Sequence, residues 1–100
     1  MIRGITPTFQ LKLNGDVDLT LADNVYATFQ QGRNYITKTG DALEVSETQV
    51  DVYLDQSETL NFRTGRVEIQ LNWTYEDGSR GCSKIVSMKV GKNLIERVLP

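Results

Sequence analysis

The chain has 100 residues, the size of one domain. It has no histidine and one cysteine, which excludes Ser-His-Asp and Cys-His catalysis, Cys/His zinc sites and internal disulfide bonds. The net charge of -2 argues against a nucleic-acid partner, because such proteins carry clustered Lys and Arg. Nine Val, six Ile and ten Thr stand against three Ala. This composition favours strands over helices.

Neither a secretory signal nor a membrane span is visible in the sequence. Residues 1–7 hold no apolar run of the length that a signal needs, and the longest apolar stretch, residues 25–27, is far too short to cross a bilayer. A single cysteine, Cys82, is typical of a reducing compartment. We therefore expect synthesis in the cytoplasm and no membrane partner.

Two hairpins are predicted in the first forty residues. Residues 8–13 and 17–21 alternate apolar and polar side chains around the turn dipeptide Asn14-Gly15. Residues 25–30 and 34–39 flank Gly32-Arg33. A two-residue turn there places Phe29 opposite Ile36, so that apolar side chains meet on one face.

A helical turn is predicted near residues 55–60, after a short strand at 43–45 and a second at 50–54. Asp55 and Glu58 have the spacing of a capping box, and Leu60 and Phe62 would anchor the turn on the core. We expect this turn to cross from one sheet to the other.

The last hairpin has the strongest pattern. Its first strand carries an apolar residue at every second position. Asp77-Gly78 is the preferred pair of a type I′ turn, which would place Trp73 opposite Cys82 and Tyr75 opposite Arg80. Residues 92–100 fit either an edge strand or a helical turn. The apolar row consists of Val67, Ile69, Leu71, Trp73 and Tyr75.

Together these elements predict an all-β fold. About 7–8 short strands with closely spaced turn signals are typical of an antiparallel two-sheet sandwich of the immunoglobulin-like type, here with one helical turn. An open barrel is the alternative. We expect a single domain over residues 1–100, with residues 1–7 and 92–100 loosely attached.

No residue pattern points to catalysis, and we expect neither enzymatic activity nor a cofactor. Most acidic residues lie in turns or on polar strand faces, where nothing raises a carboxyl pKa as a general acid requires. Asp16, Asp18 and Asp23 supply oxygen ligands for calcium, but their spacing departs from the EF-hand loop. Cys82, with Lys84 nearby, is either a reactive thiol or an inert thiol half-buried beside Trp73, and we favour the second.

Three surface features suggest macromolecular contact. Trp73, Tyr75, Arg80 and Lys84 are candidate interface residues near the tip of the last hairpin, because aromatic and Arg side chains are enriched at binding hot spots, although a strand Trp is also typical of a core. Six acidic residues lie between Lys38 and Arg63, whereas residues 80–97 are mainly basic. These charges are either solvated faces of loops and strands or complementary patches for head-to-tail contact between copies, and we favour the first. The third feature is a candidate platform of Tyr26, Tyr35 and Tyr53 for binding a sugar or a protein, although scattered surface tyrosines are also common.

The opening residues 1–8, MIRGITPT, the block YLDQSETLNF at 53–62 and the block GRVEIQL at 65–71 resemble small prophage-encoded proteins of Gram-positive bacteria. Those proteins have about the same length and are encoded among virion structural genes. The resemblance implies a virion structural or assembly protein with an immunoglobulin-like fold, which binds other virion proteins or itself. A small carbohydrate- or cell-surface-binding module is the alternative function.

Overall fold

Two antiparallel sheets make up the computed structural model, which describes residues 1–100. The small sheet has the order β1-β5-β4, and the large sheet has the order β3-β2-β6, with β7 and β8 both paired to the far side of β6. The strands are β1 Thr8–Lys12, β2 Asn24–Gln31, β3 Asn34–Thr39, β4 Leu43–Val45, β5 Gln49–Tyr53, β6 Gly65–Thr74, β7 Arg80–Cys82 and β8 Val86–Val90. One α-helix, α1 Gln56–Leu60, and two 3-10 turns, Leu19–Leu21 and Gly40–Ala42, complete the fold.

The predicted all-β class with two antiparallel sheets is confirmed. The chain crosses between the sheets three times, from β1 to β2, from β3 to β4 and from β5 to β6, and this order fits an immunoglobulin-like arrangement. No strand pairs with both sheets, so the alternative of an open barrel does not form.

A single apolar core lies between the sheets. Alternate residues of β2, β5 and β6 point inward, because successive side chains of a strand lie on opposite faces. The rings of Phe9 in β1 and Phe29 in β2 meet across the two sheets with centroids 5.3 Å apart. Fourteen buried apolar residues form this core: Leu19, Val25, Ala27, Phe29, Leu43, Val50, Val52, Leu54, Phe62, Val67, Ile69, Leu71, Trp73 and Val90.

The β2-β3 hairpin and the helical turn are confirmed. Phe29 lies opposite Ile36, in the predicted register. The Asp55 side chain accepts from the Glu58 backbone N–H at 2.9 Å, and the Glu58 side chain accepts from the Asp55 N–H at 3.0 Å, which is the predicted capping box. Lys38 of β3 forms an ion pair with Glu58 at 2.6 Å and so links the large sheet to the crossing between sheets.

The predicted hairpin of residues 8–13 and 17–21 is wrong. β1 forms as expected, but it pairs with β5 rather than with the following residues. After Asn14-Gly15 the chain crosses to the large sheet, and Asp18 caps the 3-10 turn that buries Leu19. The alternating pattern identified a strand but did not specify its partner, because any strand with an apolar inner face fits equally well.

The last hairpin has a different loop and, near its tip, a register shifted by one residue. The backbone carbonyl of Tyr75 accepts from the Gly78 N–H at 2.9 Å, and the backbone N–H of Tyr75 donates to the Ser79 carbonyl at 3.0 Å. Within this loop, Gly78 alone has a positive φ, of 87°. This is a three-residue loop ending in a glycine bulge, and not the predicted type I′ turn, which needs positive φ at two positions.

The shift changes which side chains of β7 face the core. Trp73 lies opposite Gly81, and Cys82 lies opposite Asn72 on the outer face, so the predicted Trp73–Cys82 and Tyr75–Arg80 pairs do not form. Residues 83–85 then bulge, and β8 returns to the predicted register, with Ile69 opposite Val86.

Both chain ends contact the loop and helix that join β5 to β6. Arg3 donates to the carbonyls of Phe62 and Leu60 at 2.6 and 2.7 Å and forms an ion pair with Glu96. The Gln56 side chain makes two hydrogen bonds with the backbone of Leu99. Residues 92–100 form neither the strand nor the helical turn that the sequence left open. The loose attachment of residues 1–7 and 92–100 stays a prediction.

No helix of the structure has the length and apolar character needed to cross a membrane.

The assignment of faces on β6 predicts a difference between adjacent substitutions. Ile69 is 4% exposed, so Ile69→Ala should lower the free energy of unfolding by about 2–5 kcal/mol. Glu68 points to the outer face, and Glu68→Ala should change the free energy of unfolding by no more than about 0.5 kcal/mol. Urea unfolding of both variants measures this difference, and equal losses would contradict the assignment.

Candidate interaction groove

A groove of about 510 Å³ opens along one side of the molecule, where the edge of the small sheet faces the edge of the large sheet. Strand β1 forms one wall, and β6, β7 and the bulge at residues 83–85 form the other. Most lining residues are apolar, and Lys12 and Lys84 are the only charged ones. The apolar lining includes Leu11, Leu13, Val17, Trp73 and Val86.

The β1 wall of the groove is a free strand edge. Leu13 donates to the Thr48 carbonyl at 2.7 Å, and Leu54 donates to the Pro7 carbonyl at 3.1 Å. In an antiparallel pair, the residues that bond to the partner alternate with residues whose backbone groups point away. The N–H and C=O groups of Thr8, Gln10 and Lys12 therefore point away from β5 and are available to another strand.

The opposite wall depends on a close contact between Trp73 and Gly81. Trp73 is 5% exposed, and a Cβ added to Gly81 would lie 2.6 Å from Cε2 and 2.8 Å from Cζ2 of the indole. Because residue 81 is glycine, the indole can lie directly against the backbone of β7. Gly81 is not among the predicted site residues, because the predicted type I′ register places Cys82 opposite the tryptophan.

The four candidate interface residues do not form one cluster. Trp73 and Lys84 both line the groove, with the indole buried and the lysine exposed. Tyr75 is half-buried and packs against the core. Arg80 lies on the outer face of the large sheet and donates to the Asn72 side-chain oxygen at 2.9 Å. The groove therefore contains two of the four predicted residues, and β1 supplies a wall that the sequence did not indicate.

The acidic side chains with shifted pKa serve local structure. Hydrogen bonds from the Glu58 backbone and then the Ser57 hydroxyl lower the pKa of Asp55, and the Ser79 hydroxyl and then its backbone N–H lower the pKa of Asp77. Both shifts are opposite to the direction that a general acid requires. Asp18 accepts from the backbone N–H of Thr20 in its 3-10 cap. No three Asp, Glu or Cys side chains gather to hold a metal ion.

Cys82 is exposed and lies on the face opposite to the buried Trp73. The predicted half-buried thiol beside the indole is therefore wrong, because the register shift turns the side chain of residue 82 outward.

The three tyrosines do not form a shared platform. Tyr26 and Tyr35 lie on the outer face of the large sheet, near opposite ends of the β2-β3 hairpin, whereas Tyr53 belongs to the small sheet. A depression of about 340 Å³ lies beside Tyr26. Its other lining residues are Thr28, Thr37, Asn72, Thr74 and Arg80.

Compared with protein-family models, curated proteins and solved structures, the chain matches none. The resemblance to prophage virion proteins therefore stays a prediction.

The Trp73–Gly81 contact predicts the effect of one added methyl group. Gly81→Ala should displace the indole, shift the emission of the protein's only tryptophan to longer wavelength and destabilise the fold by about 1–3 kcal/mol, as overpacked sites do. Ser87→Ala on β8 is the exposed control. In a Trp73→Phe background the methyl group should cost less. Unchanged emission and stability of Gly81→Ala would contradict the contact.

Proposed function

We propose that the chain is a non-enzymatic structural or assembly protein of a phage or prophage particle, and that it acts through protein–protein contacts. The groove between the two sheet edges carries this proposal. Its occupant is an extended, mainly apolar segment of another particle protein, which adds to the free edge of β1.

The backbone and the charges of the groove both suit such a segment. Main-chain groups of Thr8, Gln10 and Lys12 point away from β5, which is the requirement for adding a strand. The apolar lining accommodates alternate side chains of the added strand. Lys84 lines the groove and no acidic residue does, so an acidic residue in the segment finds a complementary charge.

The particle context rests on the resemblance of residues 1–8, 53–62 and 65–71 to prophage-encoded virion proteins. The structure places residues 53–62 largely at the capped crossing and residues 65–71 in the central strand. Synthesis in the cytoplasm followed by incorporation into the particle agrees with this context.

Blocking the edge of β1 tests the proposal. The Gln10 N–H points away from β5, so Gln10→Pro removes a bond to an added strand while leaving the β1-β5 ladder intact. Gln10→Ala keeps the N–H and is the matched control. Each variant would replace the gene in an inducible prophage, and quantitative immunoblots of gradient-purified particles would measure incorporation.

We expect the wild-type chain and Gln10→Ala in particles, and Gln10→Pro at one tenth or less of that amount. This reduction is about what the loss of one hydrogen bond to the added strand would cause. Thermal unfolding of the purified variants verifies that Gln10→Pro is folded. Absence of the wild-type chain from particles and assembly intermediates would overturn the particle function. Equal incorporation of the two variants would overturn the groove as its binding site.

The alternative function, binding of a carbohydrate, is favoured by the depression beside Tyr26. It offers hydroxyl, amide and guanidinium groups next to an aromatic ring on one exposed face. A glycan array would test it, with Tyr26→Ala as the site variant and Tyr53→Ala on the other sheet as the control. Loss of binding in the first variant alone would support this function, and no glycan binding by the wild-type chain would exclude it.

A further inference from the structure

Two pairs of like charges lie directly opposite each other on neighbouring strands. Glu44 of β4 is the register partner of Asp51 of β5, and Arg66 of β6 is the register partner of Lys89 of β8. Directly opposite residues have Cβ atoms about 4.5–5.5 Å apart, and like charges at that spacing repel. We call Glu44 and Asp51 the acidic pair, and Arg66 and Lys89 the basic pair.

The two pairs occupy opposite outer surfaces of the molecule. The neighbours of the acidic pair, Leu43 and Val52, point into the core, so the acidic pair faces outward from the small sheet. Val67 and Val90 likewise point inward, so the basic pair faces outward from the large sheet.

Neither pair is neutralised within the chain. The two ion pairs of the structure join Arg3 to Glu96 and Lys38 to Glu58, and they use none of these four side chains. The one side-chain hydrogen bond to either pair comes from Gln49, which donates to Asp51 at 2.8 Å. Other charges near the pairs include Lys12 on the small sheet and Glu68 on the large sheet, and each offsets only part of the local charge.

We propose that copies of this chain stack with the acidic pair of one copy against the basic pair of the next. The inference deepens the proposed assembly function and rests on it, and the occupant of each face is a second copy. Stacking places each like-charged pair beside opposite charges and removes the repulsion. Because the two surfaces differ, the contact is head-to-tail and generates an open stack or a closed ring rather than a closed dimer.

Charge reversal on one face at a time tests the stacking. Arg66→Glu with Lys89→Glu makes both faces acidic, and Glu44→Lys with Asp51→Lys makes both faces basic. Neither double variant should associate with itself. An equimolar mixture should associate, because the first variant keeps the native acidic pair and the second keeps the native basic pair.

Sedimentation velocity on the purified proteins gives the readout. In about 0.01 M salt the wild-type chain should have a sedimentation-derived mass of at least twice the monomer mass, and in about 1 M salt it should be a monomer. The reason is that the electrostatic screening length falls from about 30 Å to about 3 Å. Arg33→Glu with Lys92→Glu makes the same change in net charge at exposed positions outside the basic pair, and should associate like the wild-type chain. Thermal unfolding verifies that each variant is folded.

A wild-type chain that remains monomeric in low salt would overturn the stacking, as would a mixture of the two double variants that stays monomeric while the wild-type chain associates. Loss of association in the control variant would show a non-specific effect of net charge and would also overturn it. These results are distinct from failure of the assembly function, which is measured by incorporation of the wild-type chain and the Gln10 variants into particles.

Discussion

The inward row of β6 is the constraint on which the rest of the structure depends. Its apolar side chains close one side of the core, while its backbone pairs with β2 on one edge and with both β7 and β8 on the other. A shift of one residue in any of these pairings would exchange core and solvent faces. The pairing of β7 with β6 is shifted by one residue relative to the pairing of β8 with β6. Gly81 opposite Trp73 makes this shift compatible with a closed core. The bulge at residues 83–85 then restores the register for β8.

This arrangement also creates the groove. The bulge interrupts the edge of the large sheet at the place where β1, the edge of the small sheet, is left without a second neighbour. Open edges favour pairing with further strands, and proteins commonly limit this with short or charged edge strands. Here β4 and β7 have three residues each, whereas the edge strands β1, β3 and β8 have five or six. Of these longer edges, β1 contributes the most residues to the apolar groove. The free edge of β1 is therefore the site best suited to a strand from a partner.

The outer faces add a second type of surface. Stability alone would favour opposite charges across neighbouring strands, yet the small sheet pairs two acids and the large sheet pairs two bases. The proposed strand site in the groove and the proposed stacking faces suit different partners, so the two proposals do not compete for the same surface.

The sequence by itself determined the capping box, the β2-β3 register and every strand except the one predicted at residues 17–21, where a 3-10 turn forms. Each of these features follows from alternation, spacing or turn length over a few adjacent residues. Only the tertiary structure decided that β1 pairs with β5, since alternation specifies a face and not a partner. The loop after Tyr75 shows the same limit, because an Asp-Gly pair suits both a two-residue turn and a three-residue loop. The three-residue loop is the one that places Gly81 opposite Trp73. Two of the four predicted interface residues, Trp73 and Lys84, line the groove. The positions of β1 and Gly81 beside it depend on contacts between residues far apart in the chain, which the sequence pattern does not specify.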